Sequence, residues 1–305
     1  MEETKQGFHQ IKGRDDRIIN AVACFVCGFV LLLTLYPLVY VLSASFSDPV
    51  SVTRGELLLL PIKPTLEGYA TILDYSPIWV GYRNTIFYTI VGTGVNLLCT
   101  IPCAYALSRK DLYGRNVLMF LFTFTMFFSG GLIPTYLMMK KLGMINTIWA
   151  MLVPGAVSAY NLIIARTYYA NSIPKELGEA AMIDGCSNAK MFLRIMLPMS
   201  MPMVAVIMLY YAVGHWNSYF NALIYLSRAE LYPLQLYLRN ILLQDMMLDM
   251  LSGDSEAMEA MIRRLQLKES MQYGIVVVSS LPILIIYPFL QKYFAKGVMM
   301  GAIKG

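Results

Sequence analysis

The sequence predicts an all-α, polytopic membrane protein with six transmembrane helices. Hydrophobic residues make up 57% of its 305 positions and charged residues only 14%, which is too little polar surface to cover a soluble globule. Six runs of about 20 residues or longer lack Asp, Glu, Lys and Arg, the length a helix needs to cross roughly 30 Å of hydrocarbon. Most of the 24 Lys and Arg fall on alternate connecting segments, as they do when one side of a membrane is the cytoplasm.

Residues 1–17 form a charged N-terminal segment, and 18–305 read as one integral domain without a flexible linker. The first span, 18–46, is longer than the roughly 7–15-residue core of a secretory signal, so it is read as uncleaved. The loop 47–83 carries Pro49, Pro61, Pro64 and Pro77, and its apolar run Leu57 to Ile62 is too short to span; it is expected to cap the outer surface. The second span, 84–108, contains Gly92, Gly94, Asn96 and Pro102. The third, 116–139, contains Gly130, Gly131 and Pro134. Pro removes a backbone bond and Gly weakens a helix, so both spans are expected to kink. Such breaks mark a watery cavity, or else close packing of helices, and both readings stay open.

The fourth span is 147–165, the fifth 199–226 and the sixth 273–290. In the long loop 227–272, Pro233 opens a helix with Leu234, Tyr237, Leu238, Ile241 and Leu242 at helical spacing. Asp254 or Ser255 caps a second, with Met258, Met261, Ile262 and Leu265 on one face. Either the two pack on the outer helix ends, or the Met-rich tip at Met246, Met247 and Met250 touches a docking protein. Placing the N-terminus inside puts Lys5, Lys12, Arg14, Arg17, Arg109, Lys110, Arg115, Arg166, Lys175, Lys190, Arg194, Lys292, Lys296 and Lys304 on the inner side. Both termini are then cytoplasmic. The net charge of +5 is thus a topology signal and gives no reason to expect nucleic acid as a partner.

Several absences narrow the function. There is no Gly-x-x-x-x-Gly-Lys-Ser/Thr loop, so the chain is not expected to hydrolyse ATP. The only histidines are His9 and His215, which removes a His-Glu-x-x-His zinc site. No carboxylate lies inside a span, and Asp111 is the sole acid between Tyr75 and Lys175. That weighs against an ion-coupled carrier, although carbonyl-only ion sites exist. No nucleophile and base pair supports an intramembrane enzyme. Cys24, Cys27, Cys99 and Cys103 are read as small packing residues, with a four-thiolate cluster as the alternative their spacing allows; Cys186 falls on the inner side. No metal site is expected.

The inner loop 171–198 reads as a short helix, a turn and a second helix. Pro174 opens the first, Lys175 to Met182 are good helix formers, and Asp184-Gly185 is a stop and turn. Ala180 and Ala181 allow another surface to approach closely, and Glu179 offers a carboxylate to a basic partner. In the fifth span, Tyr210, Tyr211, His215, Trp216, Asn217, Tyr219 and Asn221 form a polar and aromatic cluster. Stacking rings and amides suit sugars, whereas an aromatic belt and interhelical bonding are the plainer readings. Tyr211, Trp216, Asn217 and Asn221 are the candidate pathway contacts.

The order Glu179-Ala180-Ala181, then Gly185, then Ile195, Leu197 and Pro198, resembles the loop that identifies membrane subunits of binding-protein-dependent ABC importers. Asn84-Thr85-Ile86, Ala104-Tyr105-Ala106-Leu107-Ser108, Gly131-Leu132-Ile133-Pro134-Thr135-Tyr136, Trp216-Asn217-Ser218-Tyr219-Phe220, and Gly297 with Gly301-Ala302-Ile303-Lys304-Gly305 resemble the carbohydrate-uptake branch of the type I family. The resemblance extends to maltose permeases and to permeases for complex oligosaccharides such as pectin-derived uronides.

That resemblance implies a permease in a bacterial cytoplasmic membrane, paired with a second permease. It further implies an ATPase dimer that binds ATP and Mg, and an extracytoplasmic solute-binding protein that delivers an oligosaccharide. It makes Glu179, Ala180, Ala181, Asp184 and Gly185 the ATPase-coupling helix and sends Gly301, Ala302, Ile303, Lys304 and Gly305 between the ATPase subunits. The loop from Asp245 to Asp254 would face the binding protein. Cys186 stands where Ala is usual. In the maltose system the partner permease holds the sugar, so this chain either contacts solute or only lines its path. A non-sugar solute for the same machinery is the alternative.

Overall fold

The computed structural model describes residues 14–243 and 271–285. The tail Gly301 to Gly305, the helix expected after Asp254, the Met-rich tip and the end of the sixth apolar run lie outside the described residues. The chain divides into two compact units, Met1–Ala70 with Asp254–Val277, and Thr71–Gly253 with Val278–Gly305.

In the first unit, α1 (Arg14–Ser45) contains an apolar stretch, Ile18–Ser45, long enough to cross a membrane. Its inner turns satisfy their own hydroxyls; Thr34 Oγ1, for instance, donates to the Val30 carbonyl at 2.9 Å. The end of α1 is rich in serine because it clasps a loop. Ser47 Oγ donates to the Ser43 carbonyl at 2.7 Å and accepts from the Ile62 amide at 3.1 Å, and the Tyr69 hydroxyl donates to Ser45 Oγ at 2.8 Å. Asp48 caps α2 (Pro49–Thr53), with Pro49 in the first turn where no amide is needed. Ala44, Val52 and Leu57 are buried together, so the apolar run after Thr53 is anchored by packing.

The short α3 (Glu67–Asp74) leads into the second unit, which is built on α4 (Ser76–Ser108). Pro77 sits in the first turn of α4, which begins well before the run 84–108 read from hydropathy alone. Gly81, Thr85, Tyr88, Gly92, Asn96, Thr100 and Ala104 are buried at helical spacing, whereas Phe87, Ile90, Val91 and Leu98 are exposed. This is the inverse of a soluble helix. Small and polar groups face protein, where backbones come close and hydrogen bonds form, and apolar ones face outward.

The third, fourth and fifth apolar runs are broken. α5 (Arg115–Phe127) and α6 (Leu132–Lys141) meet at 116° across the Gly130-Gly131 break, where Gly131 adopts φ +82°. A side chain there would be strained. The run 147–165 is split into α7 (Trp149–Leu152) and α8 (Ala159–Asn171) by a turn through Pro154 and Gly155. α9 (Lys175–Ile183) follows, then α10 (Asn188–Met191), a π-helical turn (Phe192–Met196) and α11 (Leu197–Met199). The axis bends by 80° into α12 (Met201–Trp216). α13 (Phe220–Tyr225), α14 (Leu234–Leu243) and α15 (Met271–Ile285) complete the described helices. In α14, Leu234, Leu236 and Ile241 are buried while Leu242 is exposed, so the face packed against protein includes Leu236 and is rotated from the one read in the sequence. Among the described residues, α1 and α4 are long and apolar enough to cross a membrane singly, and each bent pair is so if it forms one span.

Polar rungs tie these pieces to α4. Asn84 Nδ2 donates to the Glu230 and Tyr232 carbonyls at 2.7 and 3.0 Å, and Thr85 Oγ1 accepts from the Leu234 amide at 2.8 Å. Asn96 Nδ2 donates to the carbonyls of Gly155 and Ala156, both at 3.0 Å. Its Oδ1 therefore faces His215 Nε2, 2.7 Å away, which makes that ring nitrogen the protonated one. Gly92 leaves room for the same imidazole: a Cβ there would stand 2.5 Å from the ring.

Gly92→Ala is expected to cost about 1–3 kcal/mol through overpacking, lowering the melting temperature of the detergent-solubilised protein. Gly94→Ala, where a Cβ meets nothing within 4 Å, is expected to leave it unchanged or raise it. Equal effects at both positions would remove the steric account.

Candidate functional site

The loop 171–198 folds into an exposed knob. α9 begins just after Pro174 and carries Glu176 in its first turn, where a carboxylate suits the helix dipole. It stops at Gly185, which adopts φ +67°. The Cys186 amide donates to the Ala181 carbonyl at 2.9 Å, the closing bond of a Schellman cap with glycine in the left-handed position. Ser187 then caps α10, its hydroxyl accepting from the Lys190 amide at 3.4 Å.

The two alanines of the loop differ in what they touch. Ala181 is buried against Ile173, Met191 and Met196 of the same chain, while Ala180 is exposed. The small size of Ala181 thus serves internal packing, and close approach from outside is open at Ala180. Leu177 and Ile183 are exposed beside it, Ile183 at 86%. Asp184 and Gly185 complete an outward tip that is apolar with one acid. Glu179 lies within α9.

The knob is fastened to the long helices from below. Arg109, just past the end of α4, donates from Nη1 to Asn188 Oδ1 at 2.7 Å and to the Tyr105 hydroxyl at 3.2 Å. Its Nε and Nη2 engage both Asp111 oxygens at 2.8 and 2.6 Å. This fork keeps the guanidinium charged and holds the Asp111 carboxyl below the usual carboxylate range. The Tyr105 ring lies 5.0 Å from Phe192 and 5.6 Å from Tyr169, and the Tyr169 hydroxyl meets Ser200 Oγ at 2.9 Å. Side-chain contacts thus link α10 and the π-helical turn to α4 and α8, and α8 to the α11–α12 bend.

The fifth-run candidates separate into two kinds. The Tyr211 hydroxyl accepts from the Ser158 amide at 2.9 Å and meets Thr100 Oγ1 at 2.7 Å, which makes it a buried brace between α4, α8 and α12. Trp216 is also buried, its Nε1 donating to the Ser279 carbonyl at 3.1 Å. Asn217 caps α12 and donates to the Val213 carbonyl at 3.0 Å with its side chain exposed. Asn221 lines a recess of about 190 Å³ together with Tyr210, Tyr211, His215 and Ser218, so Tyr211 is both a brace and part of this wall. Among the described residues no three His, Cys, Asp or Glu side chains converge as a metal site. Sequence reading weighed Arg109 only as a positive charge and missed it as the tie to α10. A forked cation at the end of a span, followed two residues later by the region's one acid, is the signal for it.

The chain matches the family of binding-protein-dependent transport system inner membrane components over residues 76–298. It is 38% identical to the polygalacturonan/rhamnogalacturonan transport system permease protein YtcP of Bacillus subtilis, covering 92% of this chain and 97% of that one. It is 37% identical to Protein LplC of the same organism, over 95% and 96% of the two chains. Among solved structures it is similar to a bacterial ABC transporter involved in the import of the acidic polysaccharide alginate, with 35% identity, a TM-score of 0.82, and coverage of 92% of this chain and 98% of that one.

Gly185→Val places a β-branched residue at a left-handed φ, at a cost of about 1–2 kcal/mol. Amide hydrogen exchange at residue 186 is expected to accelerate roughly tenfold as the cap opens more often. Unchanged exchange would mean that the cap does not hold the knob.

Proposed function

Because the chain belongs to the family of binding-protein-dependent transport system inner membrane components, we propose that it converts ATPase motion into passage of an oligosaccharide through the membrane. It is a membrane permease subunit of an ABC importer, and an ATPase and a solute-binding protein are its partners. The observation that carries the mechanism is the exposed knob of α9 and α10 joined to α4 through Arg109 and to the α11–α12 bend through Tyr169. When the ATPase subunits close on ATP and Mg, they push a rigid helix end. The contacts beneath it transmit that push to the helices around the path.

In this reading the ATPase cleft receives Ala180, Ile183, Asp184 and Gly185, and Glu179 pairs with a basic group there. The tail Gly301 to Gly305 reaches between the ATPase subunits. A second permease completes the pathway, giving a heterodimer of six-span subunits in a bacterial cytoplasmic membrane, with both termini inside. The whole-length likeness to a polygalacturonan/rhamnogalacturonan permease and to an alginate importer supports an oligosaccharide as solute. Asn221, in its polar recess, is the pathway contact; Tyr211 and Trp216 hold the helices that form the wall.

Glu179→Lys is expected to lower ATP-driven uptake at least tenfold while the ATPase still purifies with the complex; normal uptake would end the coupling role. Asn221→Ala is expected to raise the half-saturating solute concentration severalfold with assembly intact. An unchanged uptake curve would leave the recess as packing.

A further inference from the structure

Beneath α9 lies a feature that the transmission of force does not use. A cavity of about 450 Å³ opens where the end of α4, the start of α5, α8 and the base of α9 come together. Its size falls within the roughly 300–1,000 Å³ typical of ligand clefts. Arg109, Lys110, Arg115 and Arg166 line it, and Asp111 is the one acid among its lining residues.

These cations are not equally engaged. Arg109 and Asp111 neutralise one another as an ion pair with Nη2 and Oδ2 2.6 Å apart. Arg115 donates to the Arg109 carbonyl at 3.2 Å, which fixes the guanidinium at the rim without offsetting its charge. Arg166 Nε is enclosed and, among the described residues, meets no acceptor. Arg166 lines the cavity as a residue, and a planar guanidinium in a cationic hollow matches phosphate or carboxylate geometry. The rest of the wall includes Ile173, Met191 and Met196, an apolar side suited to the stem of an ester. Basic pockets of this kind between helices at the cytoplasmic face accept anionic lipid headgroups.

We propose that this cavity binds a phosphate ester, seated against Arg166 and neutralised by Lys110 and Arg115. Its source is a membrane phospholipid headgroup or a free phosphate, which share the same chemistry. The occupant bridges the α4–α5 turn to the base of α9, lined there by Pro174 and Gly178, and so steadies the knob. The site is independent of which solute is carried.

The test uses the complex purified through a tag on this chain, washed free of lipid, with melting temperature as readout. Phosphatidylglycerol, phosphatidylcholine and potassium phosphate are added separately, the last against chloride at matched ionic strength. A rise with phosphatidylglycerol but not phosphatidylcholine is expected. It should shrink by more than half in Arg166→Gln, recover partly in Arg166→Lys and persist in Lys140→Gln, whose exposed cation on α6 lies outside the cavity. A rise with phosphate, equally lost in Arg166→Gln, supports the site and assigns it a soluble source. No rise with either additive, or a rise that Arg166→Gln leaves intact, overturns the proposal. Should Arg166→Gln not assemble, the Lys110→Gln, Arg115→Gln double variant decides by the same loss or retention.

Discussion

The second unit depends on one constraint: a helix with an apolar outer face offers protein neighbours little advantage over lipid unless it gives them close contact and hydrogen bonds. α4 supplies both along a single stripe. Gly81 and Gly92 let α14 and the His215 ring reach the helix surface, and Asn84, Thr85, Asn96 and Thr100 bond to loops and helices far away in sequence. Away from water such bonds lack a competing solvent, and leaving one partner unmatched is costly. The positions of α7, α8, α12 and α14 follow from these rungs.

Broken helices become tolerable once such a spine exists. The turn at Pro154 and Gly155 would strand carbonyls in an apolar setting, yet Asn96 takes the carbonyls of Gly155 and Ala156 and Tyr211 accepts the Ser158 amide. The Gly131 break and the 80° bend at Ser200 likewise interrupt otherwise apolar runs. Short stiff segments joined by defined bends suit the coupling role proposed for this subunit. The knob combines a rigid glycine-closed cap with a polar fastening through Arg109 that reaches α4 directly.

Individual residues show where sequence and structure part. Gly185 was legible as a stop signal because only glycine enters the left-handed region cheaply. Pro233 was legible as a helix start for a similarly local reason. Tyr211 and Trp216 were legible as amphipathic aromatics in an apolar run, but such residues serve a solute path, an interfacial belt or an internal brace equally well. Their bonds to Ser158 and Ser279 make both of them internal braces, and Tyr211 also lines the recess. Ala180 and Ala181 are adjacent and chemically identical, and the helix turn of about 100° per residue puts one outside and the other in the core.

The sequence by itself determined the membrane environment, the helical class, the exposed loop with its turn, and the family to which the chain belongs. The first three follow from composition, from apolar run length and from local backbone preferences, which act within a few residues, and the family follows from the resemblance of the Glu179-Ala180-Ala181 loop and its companion motifs to known permeases. Only the tertiary structure decided which side of α4 is buried, where the apolar runs bend, which polar groups of the fifth run face a recess, and that Arg109 fastens the knob while Arg166 lines a basic cavity. Those depend on partners separated by tens of residues, and no local preference specifies which distant carbonyl or ring a side chain will meet.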